Sequence, residues 1–248
     1  MRAELGIFAL QLAAASALLL LALLASAPWF YLVMVALVAG GACELLVLTH
    51  GDDLLGRWLG VLLAVGHSAT IWFFERQVRV LLPAQSLLPL NALLFSLLRP
   101  GDEASAAKRI FGVGFAPLWA GLFTYLALVR RAESEFGGHY AALAVVLAFA
   151  AHSGARSKHV PLVVAALTAT AAGLGFRQIS PAGLPAWHVF GLACFAAGFA
   201  RMGMLGQAKL QRSLGAPPRW GLLGHTSTLL LTSPLVYGYL QARAWLPH

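Results

Sequence analysis

The chain carries a tight group of cations beside a histidine near its end. Residues 201–233 contain no acidic residue but four cations, namely Arg201, Lys209, Arg212 and Arg219. Lys209 and Arg212 are three residues apart, so they share one face if the segment is helical. Gly224-His225 opens the next apolar stretch, with Ser227 close behind, and a helix N-terminus favours phosphate. The pattern predicts a site for the phosphate of a lipid or a nucleotide. The alternative is a basic loop that touches anionic headgroups without specificity.

A second polar group ends the sixth apolar stretch. It reads Ala151-His152-Ser153-Gly154-Ala155-Arg156-Ser157-Lys158-His159. An imidazole, hydroxyls and two cations within nine residues can hold an anion at a membrane interface. The alternative is a polar turn whose cations fix the helix ends. His152 and Ser153 are adjacent and do not face each other on a helix, so we predict no nucleophile–base pair.

Glu44 is the third candidate, because it lies inside an apolar stretch after Gly40 and Gly41. A carboxylate within a membrane is costly and marks a functional hypothesis. Its position near the end of the stretch also fits a partly hydrated residue paired with a loop cation.

The composition places these residues in a helical membrane protein. Of the 248 residues, 60% are apolar and 10% are charged, whereas soluble domains carry about 25% charged residues. Long continuous apolar runs indicate helices, since the strands of a membrane barrel alternate in hydropathy. Cys43 and Cys194 lie in such runs and predict packing, and the scattered histidines give no metal signature. We expect no nucleic-acid partner.

Acidic residues occur only in the first part of the chain. All nine lie in residues 1–135, where nine Lys and Arg balance them, so the net charge of +8 comes from residues 136–248. Mg²⁺ prefers hard oxygen ligands, typically carboxylates. The second part of the chain therefore predicts anion binding and no metal site.

Nine apolar segments are long enough to cross a bilayer, which needs about 20 residues per helix. They cover about 5–26, 28–49, 57–75, 78–98, 109–130, 138–154, 160–176, 186–204 and 221–243. We predict an all-α, polytopic membrane protein with one integral membrane domain over residues 1–248. The first segment is expected to be an uncleaved span, although Ala25-Ser26-Ala27 also resembles a signal-peptide cleavage site. Eleven Lys and Arg on the N-terminal side against six on the other predict a cytoplasmic N-terminus.

Several segments together resemble the phosphatidate cytidylyltransferase (CDP-diacylglycerol synthase) family. The resemblance rests on Ala42-Cys43-Glu44-Leu45, Arg99-Pro100-Gly101, Arg109-Ile110-Phe111-Gly112, His152-Ser153-Gly154-Ala155-Arg156 and the stretch from Lys209 to Ser233. Family members join CTP to phosphatidate at the cytoplasmic face and release pyrophosphate, with divalent metal held by aspartates. The resemblance therefore implies phospholipid metabolism and, for an active member, Mg²⁺.

The chain departs from the family pattern at the residues that carry the family's chemistry. His152 stands where the family has Asp, Pro217 and Pro218 stand where it has Lys-Asp, and Thr226 and Ser227 replace two glycines. The matches that survive are Ser153, Gly154, Ala155, Gly224 and His225.

Our interpretation is a catalytically degenerate member of this family in a bacterial inner membrane, with no catalytic residue and no cofactor expected. It is expected to bind phospholipid, phosphatidate or CTP, or to pair with a second copy or another membrane protein. The phosphate- or lipid-binding residues are predicted to be His152, Arg156, Lys158, Lys209, Arg212, Arg219, His225 and Ser227. The alternative is an active enzyme with relocated metal ligands. A transporter or channel is disfavoured because no repeat or paired broken helices are visible.

Overall fold

The computed structural model describes residues 2–97, 103–155, 162–215 and 221–243, and most residues in these ranges are helical. The described part contains ten α-helices and no strand. Their bounds are α1 Arg2–Leu24, α2 Ala27–His50, α3 Leu54–Phe74, α4 Val78–Leu97, α5 Glu103–Gly121, α6 Thr124–Ala132, α7 Gly137–Gly154, α8 Leu162–Ile179, α9 Ala186–Ser213 and α10 Gly221–Arg243.

Each of the nine predicted segments coincides with helix, but the fifth coincides with two helices, α5 and α6. The break follows Pro117, which has no N–H to donate, and falls after Gly121. There, Leu122 N bonds Trp119 O at 3.3 Å and Phe123 N bonds Ala120 O at 3.1 Å, so the chain tightens for one turn. A side chain at Gly121 would meet the ring of His67, its Cβ lying 2.9 Å from Cδ2.

Five stretches are long and apolar enough to cross a membrane within the described residues. They are Ala27–His50, Leu54–Phe74, Ser105–Ala132, Leu162–Ile179 and Ala186–Ser213. The protein therefore has the helices of a membrane protein, while the count of nine spans and the direction of the N-terminus stay predictions.

Helix α9 runs nine residues beyond its predicted end. The segment from Leu205 to Ser213 is rich in Leu, Gln, Ala, Lys and Arg, which are good helix formers. The helix stops before Gly215, whose φ of +83° is the left-handed conformation that commonly follows a helix. Lys209 and Arg212 consequently lie on a helix rather than in a loop.

The chain forms two compact units, each drawing on both halves of the sequence. Unit 1 comprises Met1–Phe30, Tyr125–Gln207 and Gly224–His248, and unit 2 comprises Tyr31–Thr124 and Ala208–Leu223. The prediction of a single membrane domain is not decided by this division.

Unit 1 is built around α7, which packs against α1 and α8. Most residues of α7 are buried, as expected of a helix that is apolar all round. Small residues permit close approach: a Cβ on Gly154 would lie 2.8 Å from Ala165 Cα. At the other end, Arg130 Nη2 donates to Ala25 O at 3.0 Å, a partner for the carbonyls left open after α1.

Unit 2 packs α3, α4 and α5 together. Tyr31 and Trp72 stack with their ring centroids 4.4 Å apart. Thr124 Oγ1 donates to Ser68 Oγ at 2.7 Å, and both side chains are fully buried. These contacts join the helices through aromatic rings and neutral hydroxyls.

Candidate functional site

A cavity of about 90 Å³ lies inside unit 1 between α1, α7 and α10. Its walls are mostly apolar and carry four polar side chains. The lining residues are Gln11, Ala14, Ala15, Leu18, Val145, Ala148, Phe149, His152, Thr226, Thr228 and Leu229. The volume corresponds to about three water-sized groups.

The arrangement of α1 and α7 sets the direction of this cavity. A Cβ on Gly138, at the start of α7, would lie 2.7 Å from Ala22 O, near the end of α1. Gln11 and Phe149 line the cavity together. The two helices are therefore antiparallel, and the side of the cavity near His152 corresponds to the end of α7.

His152 and Thr228 form the polar centre of the cavity. His152 Nδ1 and Thr228 Oγ1 are hydrogen-bonded at 3.1 Å, with exposures of 7% and 2%. The bond joins the end of α7 to the early part of α10, which are the two segments that the sequence singled out. His152 thus lines the cavity, and one of its partners is a neutral hydroxyl.

The predicted residues next to His152 and Thr228 lie partly in helix contacts and partly at the start of α10. Gly154 packs tightly, since a Cβ there would also lie 3.0 Å from Thr168 Oγ1, and Ser153 is half-buried on the same turn. Gly224 and His225 lie on the first turn of α10, the helix end at which phosphate binding was predicted.

Ser227 is buried against α9 rather than exposed to a ligand at the surface. Its side chain is fully buried, and its Oγ has no hydrogen-bond partner in the described part of the chain. A Cβ on Gly203 would lie 3.0 Å from Ser227 O, so α9 and α10 meet closely here. The residue belongs to the helix contact.

The predicted cations divide between the two units or lie outside the described residues. Arg201 is half-buried in unit 1, whereas Lys209 and Arg212 are exposed in unit 2. Arg212 Nε donates to Ala208 O at 3.0 Å. Arg156, Lys158 and Arg219 lie outside the described residues.

An open depression of about 310 Å³ lies beside these cations in unit 2, between the start of α5 and the end of α9. It is lined by Ala107, Lys108, Phe111, Leu210, Ser213 and Leu214. Lys108 is exposed, and Lys209 and Arg212 flank Leu210 on α9. Lys108 therefore lines a depression with an apolar floor, and Lys209 and Arg212 lie on the same turns of α9 outside its lining.

Further polar groups of unit 2 lie where α2 ends. Thr49 Oγ1 and His50 Nδ1 are 2.9 Å apart, and the charges of Asp53, Arg109 and Arg57 act on His50. A Cβ on Gly112 would lie 2.1 Å from Thr49 Oγ1, so α5 approaches α2 closely next to Arg109.

Glu44 is buried in α2, with 8% of its surface exposed. Six residues separate it from His50 at the helix end, which is about 9 Å along the axis. The structure thus keeps it within unit 2 and inside an apolar stretch, as the sequence indicated.

The cavity side chains do not fit the divalent metal that the family resemblance implies. Those that line it in the described ranges offer an imidazole, an amide and hydroxyls, and no carboxylate. Mg²⁺ prefers carboxylate and other hard oxygen ligands. Across the described residues no three His, Cys, Asp or Glu side chains come together as a metal cluster would require.

Three site residues went unnoticed as binding candidates in the sequence, namely Gln11, Lys108 and Thr228. Gln11 interrupts an apolar run, and Thr228 belongs to His225-Thr226-Ser227-Thr228, so both carried a weak polar signal. Lys108 gave none beyond its charge, because only the fold brings α5 beside α9.

The sequence matches no protein-family model and no curated protein. The resemblance to the cytidylyltransferase family therefore stays a prediction.

Proposed function

We propose that the protein is a bacterial inner-membrane protein with nine spans and a cytoplasmic N-terminus, and that it binds the phosphate of an anionic phospholipid. It is a degenerate relative of the phosphatidate cytidylyltransferases, whose binding function persists without catalysis.

The depression in unit 2 carries this proposal. Lys108 lines the depression beside Phe111, and the exposed Lys209 and Arg212 add positive charge nearby on α9. Lys and Arg bind phosphate without a metal. An apolar floor beside cations suits a lipid better than a water-soluble nucleotide, because a lipid brings hydrocarbon next to its phosphate. Phosphatidate is the ligand proposed, and CTP is the competing source of the same phosphate chemistry.

The test measures phosphatidate and CTP affinities for the protein in nanodiscs. A charge near an anionic membrane surface contributes about 1 kcal/mol. Replacing Lys108, Lys209 and Arg212 together by Gln should weaken phosphatidate binding by about 100-fold. Arg79→Gln, which removes one exposed charge at the start of α4, serves as the matched control and should change affinity less than about twofold.

Two results would contradict the proposal. The first is unchanged phosphatidate binding in the triple variant, which leaves the cations as a topology signal alone. The second is turnover of CTP and phosphatidate with Mg²⁺ that is lost in Glu44→Gln, which supports the active enzyme instead. Tighter binding of CTP than of phosphatidate would assign the site to nucleotide.

A further inference from the structure

The cavity of unit 1 is polar at one end and apolar at the other. His152, Thr226 and Thr228 lie at the end where α7 finishes, whereas Val145 lies seven residues deeper on α7, about 10 Å along the helix. Leu18 lines the deep part from α1, which runs antiparallel to α7. The cavity therefore changes from hydrogen-bonding to hydrocarbon surroundings along its length, as an amphiphile does.

This cavity differs from the depression of unit 2 in that its lining, among the described residues, carries no charge. No Lys, Arg, Asp or Glu is among its lining residues in the described part of the chain. A charged head without a partner in such surroundings is disfavoured by several kcal/mol. Imidazole and hydroxyl groups instead suit a neutral hydroxyl, which donates and accepts hydrogen bonds.

The cavity also reaches an apolar outer surface. Ala14 lines it and is itself exposed. Ala17, one turn deeper on the same face of α1, is exposed as well. Small side chains at Ala14, Ala15 and Ala148 leave the space that a longer residue would fill. The ligand's remaining chain has an apolar path out of the cavity along α1.

We propose that this cavity binds the head and first carbons of a neutral lipid whose head is a hydroxyl. The hydroxyl lies by His152 and Thr228, and the chain runs between α1 and α7 toward Val145. The site lies in unit 1 alone. The proposal therefore does not depend on phosphate binding in unit 2.

The test uses a photoreactive long-chain alcohol, with its diazirine close to the hydroxyl, on the full-length protein in nanodiscs. Labelled peptides are mapped by mass spectrometry, and labels on α1, α7 or α10 at the cavity are expected. Ala15→Leu should lower this labelling by about tenfold by filling the space. Ala13→Leu, an exposed position on the same helix that does not line the cavity, should leave it unchanged.

A second comparison varies the ligand instead of the protein, so the proposal can still be tested if Ala15→Leu fails to fold. The unlabelled alcohol should compete for the site about tenfold better than its methyl ether, which cannot donate a hydrogen bond. Equal competition by the ether, labels elsewhere, or stronger labelling by a fatty-acid or phosphatidate probe would overturn the assignment to a neutral hydroxyl-headed lipid.

Discussion

The polar side chains of the two units differ in their partners and in their exposure. In unit 1, Arg130 bonds Ala25 O, Arg243 Nη1 bonds the Tyr140 hydroxyl at 2.8 Å, and His152 bonds Thr228. In unit 2, Lys108, Lys209 and Arg212 remain exposed at or near a depression, although Arg212 Nε also donates to Ala208 O. The inner cations Arg130 and Arg243 of unit 1 are thus hydrogen-bonded to neutral oxygens. Cations left at a surface instead offer charge to an anion from outside.

The tightest contact of unit 2 gives the largest predicted effect. A Cβ on Gly112 would lie 2.1 Å from Thr49 Oγ1 and 2.9 Å from His50 Cε1. Gly112→Ala should therefore destabilise the protein by about 3 kcal/mol, measured by unfolding in mixed micelles. Gly66→Ala, where no atom lies within 4 Å, should be neutral or stabilise by up to about 1 kcal/mol. Equal effects of the two substitutions would show that the α2–α5 approach is not tight.

The second-largest effect on stability is expected at Tyr140, the neutral hydrogen-bond partner of Arg243. Tyr140 is 2% exposed, accepts the bond from Arg243 and donates to Ala182 O at 3.5 Å. Tyr140→Phe leaves both groups without this partner and should lower the unfolding free energy by about 2 kcal/mol. Tyr125→Phe is the control, since Tyr125 makes a ring contact with Tyr237, and should cost less than about 0.5 kcal/mol. A smaller loss at Tyr140 than at Tyr125 would show that the bond from Arg243 to the Tyr140 hydroxyl does not stabilise unit 1.

Ligand binding at the two proposed sites should differ in its dependence on salt concentration. Between about 0.1 M and about 1 M salt the screening length falls from about 10 Å to about 3 Å. Phosphatidate binding at the exposed cations of unit 2 should weaken by about tenfold, while labelling of the unit 1 cavity by the photoreactive alcohol should change less than about twofold. Both are measured in the same nanodiscs. Parallel losses at both sites would mean that the cavity also senses charge.

The buried hydroxyl pair of unit 2 gives the smallest effect. A double-mutant cycle of Ser68→Ala and Thr124→Val should return a coupling of about 0.6 kcal/mol, typical of hydrogen bonds between membrane helices. The coupling comes from the unfolding free energies of the two single variants and the double variant. A value near zero would assign the stability of unit 2 to its aromatic and glycine contacts alone.

The sequence predicted the helices well and their contacts poorly. Apolar runs located the helices, because a chain in lipid must satisfy its backbone internally, while five stretches of the described residues are long and apolar enough to cross a membrane. The split after Gly121 was missed, since a break in an apolar run leaves no change of hydropathy. The predicted apolar segment ended at residue 204, before the end of α9, because the polar residues around Lys209 and Arg212 lower the hydropathy although they are good helix formers.

The sequence alone determined the helical class, the acid-free second half and the candidate status of His152, because composition and periodicity are local properties. Only the tertiary structure gave His152 the hydroxyl of Thr228 as its partner, placed Lys108 beside the end of α9, and buried Ser227 against Gly203. These contacts join residues far apart in the chain. They depend on which helix faces meet, and helix packing is set by side-chain shape that hydropathy does not encode.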